Sequence, residues 1–210
     1  MKGTEVKQML IKIANMFIEK QDYLSQLDAV IGDGDHGVTM ARGAKAALGN
    51  LEHMENASIR EYFKVYGRTL VSTLGGAMGP LYGSVFLEIS KAFKEVDEFT
   101  LEAIACGLEN AELKVCSLGG AMVGDKTMVD AMDPAKEALL EAVKERKTLE
   151  EGLKMASEAA RLGVEKTKPL IAKRGRSKYL QEKAIGHQDA GATSFYYLIE
   201  EMYLFVKENA

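Results

Sequence analysis

Apolar residues recur every three or four positions along most of the chain, the repeat of a helix with one buried face. Val6, Met9, Leu10, Ile13 and Phe17 open the pattern, and the same spacing predicts one helix continuing toward Leu27 and ending at Gly32. Met40, Ala44, Ala47, Leu48 and Leu51 mark a second helix that opens near His36. Ile59, Phe63, Tyr66 and Leu70, behind a capping Ser58, mark a third. Val85, Ile89, Ala92 and Phe93 belong to a fourth, and Leu101, Ile104, Leu108, Ala111 and Val115 to a fifth behind Thr100. The sixth runs through Met128, Met132, Ala135, Leu139 and Val143, where Pro134 demands a bend or a place near the true start. Leu149, Leu153, Ala156, Ala160 and Val164 give the seventh; Phe195, Leu198, Ile199, Met202 and Phe205 give the eighth. No strand pattern interrupts them. The expectation is an all-α fold, a single domain over 1–210, with short connections that make successive helices antiparallel neighbours.

The connections carry the chemistry. Leu27 to Met40 sets Asp28, Asp33 and Asp35 around Gly32, Gly34 and Gly37. Three like charges in eight residues repel unless a cation sits among them, and carboxylate oxygens suit Mg²⁺, which completes its shell with waters and substrate phosphates. A solvated acidic turn is the plain alternative. Gly32, Gly34 and Gly37 also spell a dinucleotide fingerprint, but no β-rich run precedes them and the acids would repel a bare pyrophosphate. A calcium loop of the EF-hand type starting at Asp33 fails, because Gly37 and Ala44 stand where it needs ligands.

Residues 72–83 hold four glycines around Pro80, which predicts a loop entering the fourth helix: a close approach for phosphate or base, or a tight corner between helices. In 117–128, Gly119 and Gly124 are followed by Asp125, Lys126 and Thr127, which misses a Walker A loop by one inserted acid of the wrong sign. The Gly-Gly-Ala-Met echo at 75–78 and 119–122 extends no further and makes no repeat. From Lys166 to Lys183, seven basic residues face one acid, Glu182. Such a run is either a solvated connection or an arm that folds over an anionic ligand or docks an acidic partner, with Arg176 as a bidentate phosphate clamp. The stretches at 28–37, 72–83, 117–128 and 186–193 follow the first, third, fifth and seventh helices, so in an up-and-down array they share one end. That predicts a single mouth for a Mg-nucleotide.

Composition narrows the class. A net charge of −4 and a pI near 5.6 give no global attraction to nucleic acid or anionic membrane. Met1 to Lys20 carries Glu5 and Glu19 at helical spacing, and nowhere do eighteen apolar residues run together. A cytoplasmic protein is expected. Cys106 and Cys116, without a histidine pair nearby, suggest neither zinc nor a disulfide framework but buried thiols.

Five motifs in order then resemble a known family: Gly-Asp-Gly-Asp-His-Gly at 32–37, Gly-Gly-Ala-Met-Gly-Pro-Leu-Tyr-Gly at 75–83, Gly-Asp-Lys-Thr-Met at 124–128, Lys-Arg-Gly-Arg at 173–176 and Gly-His-Gln-Asp at 186–189. Over its whole length the chain resembles the nucleotide-binding L subunit of dihydroxyacetone kinase of the phosphotransferase-system type. The resemblance implies a closed up-and-down barrel of eight antiparallel helices with the nucleotide at one end. It implies two Mg²⁺ ions on Asp28, Asp33 and Asp35, and ADP or ATP contacts from His36, Gly37, Val38, Thr39, Ala77, Met78, Gly119, Met128, Arg176, Asp189, Ala190 and Gly191. In that form of the enzyme ADP is a retained coenzyme, recharged by a phosphohistidine donor M subunit, and the γ-phosphoryl passes to dihydroxyacetone on a K subunit. No general base or nucleophile is expected of this chain. The resemblance leaves room for an ATP-dependent kinase of another short ketose or tetrulose, for docking to a transcription regulator, and for a homodimer. Thr39, Met78, Gln181 and Ala190 stand where relatives tend to carry other residues.

Overall fold

A computed structural model describes residues 1–209, and among these the secondary structure is entirely helical. There are nine α-helices: α1 Gly3–Glu19, α2 Gln21–Ile31, α3 His36–Glu52, α4 Ile59–Thr73, α5 Met78–Ala92, α6 Leu101–Gly119, α7 Val129–Lys144, α8 Leu149–Thr167 and α9 Ala190–Asn209. The ninth arises because the expected first helix is two. The chain breaks at Lys20 (φ −82°, ψ 3°), and α2 departs on a new axis. The apolar repeat hides this break: Phe17, Leu24 and Ile31 are spaced by seven and all buried, so the helical phase continues across a one-residue interruption that contains neither Gly nor Pro.

Local signals set most other boundaries. Ser58 with Glu61, and Thr148 with Glu151, form reciprocal capping boxes at the starts of α4 and α8, while Thr100 accepts from the Ala103 N–H at the start of α6. Gly120 ends α6 in the left-handed conformation (φ 60°). The glycine-rich connection at 72–83 is shorter than its composition predicts, because α5 already starts at Met78 and includes Gly79, Pro80 and Gly83. Pro80 lies in the first turn, where no intrahelical N–H is needed. Gly83 serves packing: a Cβ there would lie 2.4 Å from Val71 Cγ2 and 2.9 Å from the Gly67 carbonyl oxygen, so α4 and α5 cross backbone to backbone. Pro134 lies inside α7, in its second turn.

Helices adjacent in sequence from α3 to α9 pack on each other, α1 packs on α3, and α9 returns to α1. They enclose one apolar core running from Val6 to Val206. Its aromatic part, Phe63 with Phe93 and Phe99, and Tyr66 stacked on Phe86 at 4.2 Å between centroids, joins α4, α5 and the connection before α6. Between α8 and α9 the chain makes two short 3₁₀ turns, Ser177–Tyr179 and Gln181–Ala184, and rests Ala172, Leu180 and Ala184 on Ile31 of α2. The thiols differ from expectation: both lie within α6, Cys106 exposed and Cys116 half-buried, because neither falls on the stripe of Ile104, Leu108, Ala111 and Val115. Among the described residues no helix is long and apolar enough to cross a membrane.

Candidate functional site

Four connections meet at one cleft of about 350 Å³: α2–α3, α4–α5, α6–α7 and α8–α9. The α3–α4, α5–α6 and α7–α8 connections contribute nothing to its lining. Of the residues that the resemblance implies, Asp28, Asp33, Asp35, His36, Thr39, Ala77, Met78, Gly119, Met128, Arg176, Asp189, Ala190 and Gly191 all line it. Gly37 and Val38 do not. They spend their positions on α2 instead: a Cβ on Gly37 would fall 1.9 Å from the Gln21 carbonyl oxygen, and the Val38 N–H donates to Ser25 Oγ at 3.2 Å.

The acidic group is a product of that close packing. Asp28 sits on the last turn of α2, whose carbonyl end is the unfavourable end for a negative charge. Its Oδ2 is held by the His36 N–H at 3.3 Å, and a Cβ on Gly32 would fall 2.3 Å from its Oδ1 and 2.9 Å from its carbonyl oxygen, so a side chain there would displace the carboxylate. Gly34 turns the loop at φ 75°. Asp35 occupies the N-cap of α3 but makes no capping bond with its side chain. One oxygen each of Asp28, Asp33 and Asp35 lie within 4.8 Å of one another. Arg176 from the α8–α9 arm reaches this group, pairing with Asp33 and lying 3.8 Å from Asp35. Three hard oxygen donors so close, drawing an arginine to their midst, fit a divalent cation of the magnesium type.

Met78, Leu81, Val115, Met128 and Val129 add apolar side chains to the lining that the three acids and Arg176 share. At the floor, His36 Nε2 lies 2.8 Å from Ser194 Oγ, and the Tyr82 hydroxyl bonds Ser194 and donates to the Gly191 carbonyl at 3.0 Å. Burial holds the His36 imidazole down at about 4, so it is a neutral hydrogen-bonding group. Asp189 accepts from the Ala192 N–H at 2.7 Å and so caps α9; burial, assisted by Asp130 and Asp28, pushes its carboxyl up to about 7.

The DAK2 domain matches residues 30–204 of this sequence. The chain belongs to the DAK2 domain family. It is 35% identical over 205 residues, 98% of each chain, to the protein of Escherichia coli (strain K12) named PEP-dependent dihydroxyacetone kinase, ADP-binding subunit DhaL. It is 40% identical over 184 residues, 88% of each chain, to the PTS-dependent dihydroxyacetone kinase, ADP-binding subunit DhaL of Lactococcus lactis. The crystal structure of the dihydroxyacetone kinase from C. freundii in complex with AMP-PNP and Mg²⁺ superposes with a TM-score of 0.73 at 26% identity. The match covers 97% of this chain and 34% of that kinase, so the chain spans about a third of its length.

In this DAK2 domain several residues in or beside the cleft lining carry no motif-level signal of their role. Tyr82 and Leu81 stand in a quoted motif but read as ordinary helix residues, and Ser194 lies inside α9, 158 residues from its partner His36. Asp125 is another. It is 3% exposed, holds the Met122 N–H at 3.1 Å and is paired with Lys173 at 3.2 Å and Arg174 at 3.5 Å. Burial alone would raise its carboxyl, but the Met122 N–H and the two arm cations keep it below the usual range. His187 presents an exposed side chain and contributes its carbonyl, not its ring, to the interior.

Proposed function

We propose that this chain is the ADP-binding subunit of a PEP-dependent dihydroxyacetone kinase, a phosphotransferase component. In this reading α1 and α3 to α9 form a closed up-and-down eight-helix barrel, acting as one domain, with the nucleotide at one end. The observation that carries it is the convergence of Asp28, Asp33 and Asp35 with Arg176 in a cleft whose lining is otherwise largely apolar. The names of the E. coli and L. lactis relatives, and the AMP-PNP and Mg²⁺ bound to the C. freundii kinase, supply the ligand class.

Asp28, Asp33 and Asp35 would hold two Mg²⁺ ions. Bound Mg-ADP would supply a phosphoryl carrier with its oxygen charges neutralised. The chain's own residues bind and orient. Arg176 exchanges its carboxylate partners for phosphate oxygens, with its fork suited to a bidentate contact. Thr39, Ala77, Met78, Gly119 and Met128 shape the cleft around the nucleoside, and Asp189, Ala190 and Gly191 present the first turn of α9. Neutral His36 donates or accepts hydrogen bonds without adding charge. No residue here is asked to act as nucleophile or general base. The partners in this reading are a dihydroxyacetone-binding subunit and a phosphohistidine donor, all in the cytoplasm.

The test is reconstitution. Protein purified in Mg²⁺ and released under denaturing conditions should yield one equivalent of ADP or ATP by mass spectrometry. With a cognate dihydroxyacetone-binding subunit and the phosphohistidine donor, it should phosphorylate dihydroxyacetone at the expense of PEP. Steady turnover on free ATP without the donor would select the ATP-dependent kinase instead. A nucleotide-free chain with no calorimetric affinity for Mg-ADP would end the reading.

A further inference from the structure

The arm that carries Arg176 leaves α8 at Lys168 and rejoins the fold at Asp189. Two buried side chains tie its roots together: Thr167, whose Oγ1 accepts from the Asp189 N–H at 3.0 Å, and Lys126, which lies under both. Lys126, 1% exposed, donates from Nζ to the Thr167 carbonyl at 2.7 Å and to the His187 carbonyl at 2.5 Å, with the Lys168 carbonyl at 3.5 Å. Thr167 ends α8 and His187 precedes α9, so this ammonium joins two points 20 residues apart in the chain. One backbone bond, from the Gly186 N–H to the Lys168 carbonyl at 2.8 Å, lies beside it.

Its placement is costly enough to need a reason. Lys126 adopts a left-handed backbone (φ 61°), which non-glycine residues hold only where their surroundings fix them. Burial of an ammonium is unfavourable without full hydrogen bonding. Burial draws the ammonium below its ordinary range, and the carbonyls together with the nearby Asp189 and Asp130 carboxyl groups offset part of that cost. The residue before it, Asp125, reaches the other way: its side chain pairs with Lys173 and Arg174, and its carbonyl accepts from the Lys173 N–H at 3.1 Å. Two consecutive residues of the α6–α7 connection thus grip the arm, Lys126 at its roots and Asp125 at its ascending limb, two residues before Arg176.

We propose that Lys126 is a positioning residue that clamps the roots of the 168–187 arm, and so delivers Arg176 to the phosphate end of the cleft and slows escape of the bound nucleotide. The proposal rests on the nucleotide reading above for its ligand, but not for the clamp itself. Removing the ammonium, which itself lines the cleft, leaves the roots joined only by the Gly186–Lys168 and Asp189–Thr167 hydrogen bonds and removes none of the cleft-lining carboxylates.

The experiment is a double-mutant cycle with Lys126→Met, which keeps length and removes the charge, and Arg176→Gln. Dissociation of a fluorescent ADP analogue with Mg²⁺ is followed by stopped flow, and trypsin cleavage at Lys173 to Lys183 reports the arm without any ligand. K126M should release nucleotide about tenfold faster, the scale of losing hydrogen bonds to a charged group, and should be cut in the arm faster than wild type. In the R176Q background K126M should add little, because Lys126 acts through the arm and Arg176. Fully additive effects on dissociation, or an unchanged rate of arm cleavage, would overturn the proposal. If K126M does not fold, K126Q, which retains an uncharged amide donor group, carries the same test with a smaller effect. Failure of both to fold would assign Lys126 to the core and also overturn it. Wild-type protein that binds no Mg-nucleotide would sink the nucleotide reading instead, while arm cleavage would still decide the clamp.

Discussion

Among single residues, His36 shows how the fold overrides ordinary chemistry. Its ring is buried at the cleft floor and held at about 4, below the 6.5 of a free imidazole. As pH falls, the unfolded chain takes up this proton before the folded one, so the folded state loses stability from about pH 6.5 downward and the loss levels off below about 4. At pH 5 it amounts to about 2 kcal/mol. Urea denaturation of the metal-free protein at pH 7 and pH 5 should show this extra loss in wild type. His36→Gln, which can still bond Ser194, should lose about 2 kcal/mol less over the same interval. Equal losses in both proteins would mean that the imidazole is not buried neutral. The contrast with the acids explains what the sequence discloses at this scale. Asp28, Asp33 and Asp35 crowd within eight residues among glycines, so their mutual repulsion can be inferred before folding. The His36, Ser194 and Tyr82 contacts join positions more than 100 apart in the chain, and no local pattern anticipates them.

Between elements, the decisive quantity is how closely helix backbones approach. The glycines of 72–83 divide into two jobs that composition cannot separate: Gly75 and Gly76 line the cleft, whereas Gly79 and Gly83 belong to α5. Gly83→Ala would place a methyl 2.4 Å from Val71 Cγ2 and 2.9 Å from the Gly67 carbonyl oxygen, forcing α4 and α5 apart. Chemical denaturation should show a loss of about 1–3 kcal/mol, the usual cost of overpacking. Gly49→Ala in α3 is the control. A Cβ there meets nothing within 4 Å, and the change should stabilise the helix by about 0.5–1 kcal/mol. If both substitutions stabilised, the close crossing would be wrong. The same logic limits how far helix boundaries can be read from sequence. Capped starts at Ser58, Thr100 and Thr148 are legible because capping is local. The break at Lys20 is not, since the buried face keeps its seven-residue spacing across it and only tertiary packing turns α2 toward α3 and the arm.

For the whole molecule, the site depends on four connections drawn from helices spread across the chain, with the arm bridging the acidic loop through Arg176 and the α6–α7 connection through Asp125. A ligand that bonds to these connections together opposes the separation of α2–α3, α4–α5, α6–α7 and α8–α9, which global unfolding requires. Mass action then sets the size of the effect: at a hundredfold excess over its dissociation constant, a ligand specific for the folded state contributes about 2.7 kcal/mol. For a chain of this length that raises the melting temperature by about 5–10 °C. Mg-ADP should produce this shift in differential scanning calorimetry, and EDTA with ADP should not, because the phosphates would then meet three bare carboxylates. Asp33→Asn supplies the internal control. It removes one proposed metal ligand and a partner of Arg176, and should weaken Mg-ADP by at least about 100-fold, since even indirect metal contacts cost 10–100-fold. At the concentrations that saturate wild type, the variant's melting temperature should therefore hardly move. A full shift in D33N, or in wild type with EDTA, would separate the acids from the nucleotide and leave the cleft without its cation.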